Sequence, residues 1–156
     1  MKIRRAEKKD LQVVDRLLSE VLEIHAAIRP DIFVPGTRKY TDEQLLDIFA
    51  DDARPVFVYV NEHDEVKGYA FCIIRETHNE NMRPITTVFI DDLCVDEKAR
   101  GMHVGKSLIA YVEDYAKKIG AHNVTLNVWH GNDKAIGFYQ KEGFGIQETV
   151  MEKIVG

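Results

Sequence analysis

Arg100-Gly101-Met102-His103-Val104-Gly105-Lys106-Ser107 sets two glycines and two cations shortly after the apolar run Phe89-Ile90-Asp91-Asp92-Leu93-Cys94-Val95. The pattern predicts a β-strand that ends in a short loop and then opens a helix. Unpaired N–H groups at a helix start, with the positive end of its dipole, attract phosphate oxygens. Arg100 and Lys106 add full charges beside them. The chemistry implied is capture of a phosphorylated ligand. Asp91 and Asp92 could attract a cation or relay a proton, but adjacent strand residues point to opposite faces, so at most one looks into a neighbouring site.

Three nucleotide-site readings compete for this loop. A P-loop fails because only three residues separate the glycines Gly101 and Gly105 where four are required. A dinucleotide fingerprint fails because no G-x-G-x-x-G can be read. The third reading is the pyrophosphate arm of coenzyme A, and the downstream sequence decides for it.

The elements around the loop follow from periodicity and breakers. Residues 2–5 read as a short strand. From Lys8 to Ile28 the apolar positions Leu11, Val14, Leu18, Val21 and Ile28 share one helical face, and Pro30 and Pro35 bracket the turn that follows. Thr41-Asp42-Glu43-Gln44 is a capping box for a second helix through Phe49. Residues 56–60 and 66–74 form an antiparallel hairpin around a polar turn. A polar loop at 76–84 leads to the strand at 85–95. After Gly105, Leu108, Ile109, Val112, Ala116 and Ile119 mark a helix closed by Gly120. A strand at 124–129, a helix at 133–142 closed by Gly143, and an alternating last strand at 149–155 complete the order β-α-α-β-β-β-α-β-α-β. That order predicts an α/β fold with a mostly antiparallel, twisted sheet and helices on both faces, as a single domain over 1–156.

Composition narrows the class. The 156 residues are 45% hydrophobic and 30% charged, as in a globular chain. No apolar run reaches the ~20 residues of a membrane helix, and the start, Met1-Lys2-Ile3-Arg4-Arg5, has no leader-like apolar segment. A net charge of −5 speaks against a nucleic-acid partner and favours cationic ligands. The six histidines are scattered and no CxxC occurs, so no metal is expected. Cys72 and Cys94 each lie in an apolar strand pattern, which predicts free buried thiols and a cytoplasmic protein.

The segment Asn132-Asp133-Lys134-Ala135-Ile136-Gly137-Phe138-Tyr139-Gln140-Lys141-Glu142-Gly143-Phe144, taken with 89–107, closely resembles the GCN5-related N-acetyltransferase (GNAT) family. That family's loop reads Q/R-x-x-G-x-G/A and its later helix N-x-x-A-x-x-F/L-Y-x-x-x-G-F. The resemblance implies the GNAT fold and acetyl-CoA as cosubstrate. By the same resemblance Leu93, Cys94 and Val95 offer backbone groups to the pantetheine arm, which lies alongside the strand like an added strand. Amides of Gly101, Met102, His103, Val104, Gly105 and Lys106 cradle the pyrophosphate, Arg100 helps to fix the loop, Asn132 bonds the pantetheine, and Tyr139 faces the sulfur. His103 departs from the family, which usually has Gly there. Its amide can still donate, so cofactor binding is expected to survive.

The catalytic expectations follow. Tyr139 is either a packed aromatic or the general acid for the leaving thiolate. A phenol near ~10 against a thiol near ~8.5 makes that transfer uphill by roughly 2 kcal/mol at most. Asp91 matches a position where some polyamine-acetylating relatives carry Glu. A base is useful because freeing the lone pair of an amine of pKa ~10.4 at pH 7 costs about 4–5 kcal/mol. Asp91 is the first candidate as base or amine binder and Asp92 the second, the alternative being pairing with an arginine such as Arg29. Arg29 or Arg38 could instead grip a substrate carboxylate, and Asn127 could contact the acceptor or bond within the sheet. Cys94, in an apolar strand without a base, is a poor nucleophile.

Only 13 residues follow Gly143, which is short for the hairpin that often ends this fold; a partner subunit is expected to complete the sheet edge. The expected activity is direct acetyl transfer to the primary amine of a small molecule, without metal. A protein N-terminus or lysine as acceptor, a non-catalytic CoA-binding regulatory domain, and a nucleotide-triphosphate module are the alternatives.

Overall fold

Val56-Phe57-Val58-Tyr59-Val60 is buried at every position, because this strand lies inside a sheet covered on both faces. The computed structural model describes residues 2–156. In chain order the elements are β1 (Lys2–Arg5), α1 (Leu11–Ile28), α2 (Asp42–Phe49), β2 (Val56–Val60), β3 (Val66–Glu76), β4 (Thr86–Val95), α3 (Val104–Lys118), β5 (Asn123–Leu126) and α4 (Asp133–Lys141). The five strands form one sheet in the order β1-β2-β3-β4-β5. All pairings are antiparallel except β4 with β5, which is parallel.

Alternation along the strands splits the core in two. Val56, Val58, Tyr69 and Phe71 pack with Val14, Leu17, Leu45 and Ile48 of α1 and α2. Phe57, Ala70, Cys72 and Ile90 pack on the other side with Val104, Leu108 and Val112 of α3. The capping box forms as expected: the Gln44 amide donates to Thr41 Oγ1 at 3.1 Å, and the Thr41 amide donates to Gln44 Oε1 at 2.9 Å. No helix among the described residues is long and apolar enough to cross a membrane.

Two expectations fail at the C-terminal end. The strand expected at 124–129 stops at Leu126, and no strand forms at 149–155. Alternation supplies a strand's faces but not its partner, and 149–155 pairs with no other strand of the sheet.

Candidate active site

The site is made by a split. β4 and β5 pair only from Thr87↔Asn123 to Ile90↔Leu126, and β4 then continues alone to Val95. The edge of β4 that faced β5 is therefore left without a strand partner at Asp91, Asp92, Leu93, Cys94 and Val95. An extended ligand can add there as a strand would.

At the end of β4 the chain is fastened before it turns. Buried Asp96 accepts from the Lys98 amide at 3.1 Å and from Arg16 at 2.9 Å. Arg16 and the Lys98 amide hold the Asp96 carboxyl below the usual carboxylate range, against the burial that opposes them. Gly101, at φ +87°, and His103, at φ 58° and ψ 30°, turn the chain into α3 through the left-handed region. His103 occupies the helix cap but its side chain makes no capping bond. The first backbone bond into α3 is Ser107 N–H to His103 C=O, at 3.0 Å. Among the described residues, the amides of Gly101, His103, Val104, Gly105 and Lys106 donate to no backbone or side-chain acceptor. Arg100 and Lys106 are exposed and form no ion pair among the described residues. Gly105 packs closely under α4: a Cβ on it would stand 3.0 Å from the ring of Phe138, which would have to give way by a few tenths of an ångström.

Tyr139, next to Phe138, is half-buried with edge-on contacts to Phe138 at 5.3 Å and Phe144 at 5.7 Å. Burial first, then the nearby Asp92 and Cys94, pushes its phenol up to about 12. Asn132 caps α4, its Oδ1 accepting from the Ala135 amide at 3.3 Å; its backbone N–H donates to Trp129 C=O at 3.1 Å, and its side-chain Nδ2 makes no bond within the described residues. Burial raises the Cys94 thiol to about 12, so it stays protonated.

A β-bulge changes the reading of the two aspartates. Ile90 pairs with Cys72 and Asp92 with Phe71, so Asp91 is the extra residue of β4. Strict alternation would set Asp91 on one face with Phe89, Leu93 and Val95; the bulge breaks that parity, since Ile90, not Phe89, shares the α3 face with Leu93. Asp91 Oδ2 lies 3.7 Å from Lys39 Nζ and lines a cavity of about 100 Å³ with Tyr40, Phe71 and Cys72. Asp92 accepts a hydrogen bond of 2.9 Å from Tyr69, a fully buried phenol that periodicity marks only as core. Burial pushes the Asp92 carboxyl up to about 6, offset in part by Lys39 and Tyr69 and aided by Asp91.

Other candidates are committed elsewhere. Arg29 pairs with Asp31 at 2.7 Å and Glu152 at 2.6 Å, and lies 5.6 Å from the centre of the Trp129 ring. Arg38 is held by Asp15 at 2.9 Å and by Asp42. Asn127 is exposed just past β5.

The family model for the acetyltransferase (GNAT) family matches residues 18–144. The chain belongs to the GNAT family. Among curated GNAT-type relatives, it is 32% identical over 104 residues to the peptidyl-lysine N-acetyltransferase YjaB of Escherichia coli, covering 67% of this chain and 58% of that protein. The match to the Salmonella typhimurium protein of the same name is 30% identical and covers 59% of it, so the chain spans a little over half the length of both. Among solved structures, a mutant of the BH1408 protein from Bacillus halodurans superposes with a TM-score of 0.94, at 30% identity and 99% of each chain. The aminoglycoside N-acetyltransferase AAC(6')-Iy in complex with CoA shares the fold, with a TM-score of 0.71 at 19% identity over 99% of each chain. The residues matched by the GNAT model take in both the split between β4 and β5 and the glycine-containing turn into α3.

Proposed function

We propose that this protein is an acetyl-CoA-dependent N-acetyltransferase that moves the acetyl group directly to a primary amine of a small molecule. The observation that carries the reading is the row of free amides at 101 and 103–106 beside the unpaired edge of β4. Acetyl-CoA supplies an activated acyl group as a thioester. The residues fit it: Leu93, Cys94 and Val95 present main-chain groups to the pantetheine, and the start of α3 with Arg100 and Lys106 receives the diphosphate. The Asn132 side-chain Nδ2 is free to bond the arm. A backbone N–H on β4 holds the carbonyl oxygen where negative charge grows during attack.

Asp91, on the rim of the cavity, attracts the ammonium. Asp92 is ionised above pH about 6 and is more basic than an ordinary carboxylate, so it takes up the amine's proton. Tyr139 donates to the departing sulfur. Cys94 stays a thiol and forms no acyl-enzyme. The small cavity beside Asp91 and the net charge of −5 support a small cationic acceptor; the YjaB proteins, by name, act on peptidyl-lysine. The free thiols Cys72 and Cys94 suit a reducing cytoplasm, and the open β5 edge supports a homodimer.

Release of thiol from acetyl-CoA, measured across polyamines, amino acids, aminoglycosides and lysine peptides, tests the reading. Turnover with small cationic amines is expected. Turnover with peptides alone would reassign the acceptor, and CoA binding without release from any amine would leave a non-catalytic CoA-binding domain.

A further inference from the structure

Arg38 and Tyr40 fasten the connection between α1 and α2 on either side of Lys39. Arg38 pairs with Asp15 of α1 at 2.9 Å and with Asp42 of α2. Tyr40 stacks on Phe71 of β3, ring centres 6.4 Å apart, and Phe71 pairs in register with Asp92. The residue between these two anchors is thereby directed over the bulge of β4. Lys39 Nζ lies 3.7 Å from Asp91 Oδ2 and 5.3 Å from the centre of the Tyr40 ring. Burial raises the Asp92 carboxyl, and the charge of Lys39 opposes that rise, so the ammonium acts on both aspartates. Among the described residues Lys9, Lys39 and Lys67 form ion pairs, and of these three Lys39 alone pairs with an acid at the split in the sheet.

We propose that Lys39 is an internal acceptor: with acetyl-CoA bound and no free amine present, the protein acetylates its own Lys39 Nζ. This step rests on the transferase reading above, which gives the place beside Asp91 to the acceptor's ammonium. In the chain by itself an ammonium already holds that place. Leu93, where the pantetheine is proposed to lie, stands two residues along β4 from Asp91, about 7 Å at strand rise. That is within the sweep of a flexible four-carbon stem, and the Lys39 side chain is 42% exposed, with room to make it. Nζ gives its electron pair to the acetyl carbonyl carbon, the C–S bond breaks, and its pair leaves on the CoA sulfur. Two protons leave the nitrogen: Asp92 takes one and passes it to solvent, and the other balances the proton that Tyr139 gives to the sulfur. The products are a neutral amide at Lys39, the free thiol of CoA and one proton. Neutral Lys39 no longer pairs with Asp91, so a single self-acetylation clears that carboxylate for a free cationic amine.

The test incubates the full chain with acetyl-CoA and no amine, and maps the product by peptide mass spectrometry. Expected is one acetyl group per chain, at Lys39, added with a rate constant independent of protein concentration. It should form about 100-fold more slowly in Tyr139→Phe and be suppressed by any amine that the protein turns over. Acetylation of Lys39 no faster than that of Lys9 or Lys67, or equally fast in Tyr139→Phe, is uncatalysed acylation and overturns the self-acetylation. A rate constant that rises with protein concentration overturns it in favour of transfer between chains. Thiol release with free amines, read on the same samples, separates the two readings. Turnover of an amine by protein that leaves Lys39 unmodified when no amine is present overturns the self-acetylation alone, and release with neither acceptor overturns the transferase as well.

Discussion

At its β1 edge the sheet carries Lys2, Arg4 and Arg5; at its β5 edge it carries Asn123, Val124, Thr125 and Leu126, with no charge at all. Arg4 donates to the buried carboxylate of Asp10 at 2.7 and 3.0 Å and to Asp64 at 3.1 Å, and Lys9 joins Asp64. The hollow beside this edge, about 330 Å³, is rimmed by Lys2, Arg4, Glu7, Lys9 and Asp64 and lies away from the split in the sheet. A charged edge of this kind repels strand addition. The β5 strand instead pairs with β4 only as far as Ile90, and the split opens beyond that point on its β4 side. One end of the sheet is closed with charge, and the other holds the split in which the cofactor is proposed to lie.

Changes at the closed edge should cost stability, and changes near the open one should cost turnover. The largest effect is expected for Asp10→Ala, which removes the two short charge-assisted bonds of Arg4, leaves it only Asp64 and Glu7, and lowers stability by about 3 kcal/mol. A shift of the urea midpoint reads it, with acetyl transfer by the folded fraction unaltered.

Asp92 comes next. Its folded pKa of about 6 stands above the unfolded value, so the native state holds this proton more tightly. The stability it contributes is complete below pH ~4 and is lost as pH rises through about 6, by up to about 3 kcal/mol. Thermal melts at pH 4.5 and 8 should show a fall in wild type that largely disappears in Asp92→Asn. The same variant should remove the limb near pH 6 from the rate profile, whereas Asp91→Asn should chiefly raise KM for the amine.

Tyr139→Phe should lower kcat by about 100-fold with acetyl-CoA affinity nearly constant, the signature of a donor acting on the leaving group. The smallest effect belongs to His103→Gly. It relieves a left-handed residue and should stabilise the fold by about 1 kcal/mol. Calorimetry should find CoA affinity little changed, and strong tightening would make His103 an obstruction to phosphate.

The strand-loop-helix at 89–107 and the two core-facing helices could be read from sequence, because periodicity, the Thr41 capping box and Gly120 are local signals. What escaped depends on pairing. The bulge at Asp91 is a one-residue mismatch between β3 and β4 and leaves no trace in either strand alone. Tyr69 lies in the hairpin strand and is fully buried; only the register shows its hydroxyl against Asp92. The acids that hold Arg29 come from a neighbouring turn and from the distant tail. Segment 149–155 has a strand's alternation, but one chain gives it nothing to pair with.

Titrating acetyl-CoA into ¹⁵N-labelled protein tests the central claim most directly. Amide shifts should concentrate at Leu93, Cys94, Val95, Gly101, His103, Val104, Gly105 and Lys106, with the β1 edge silent. Saturable binding that leaves those amides unmoved would contradict the account.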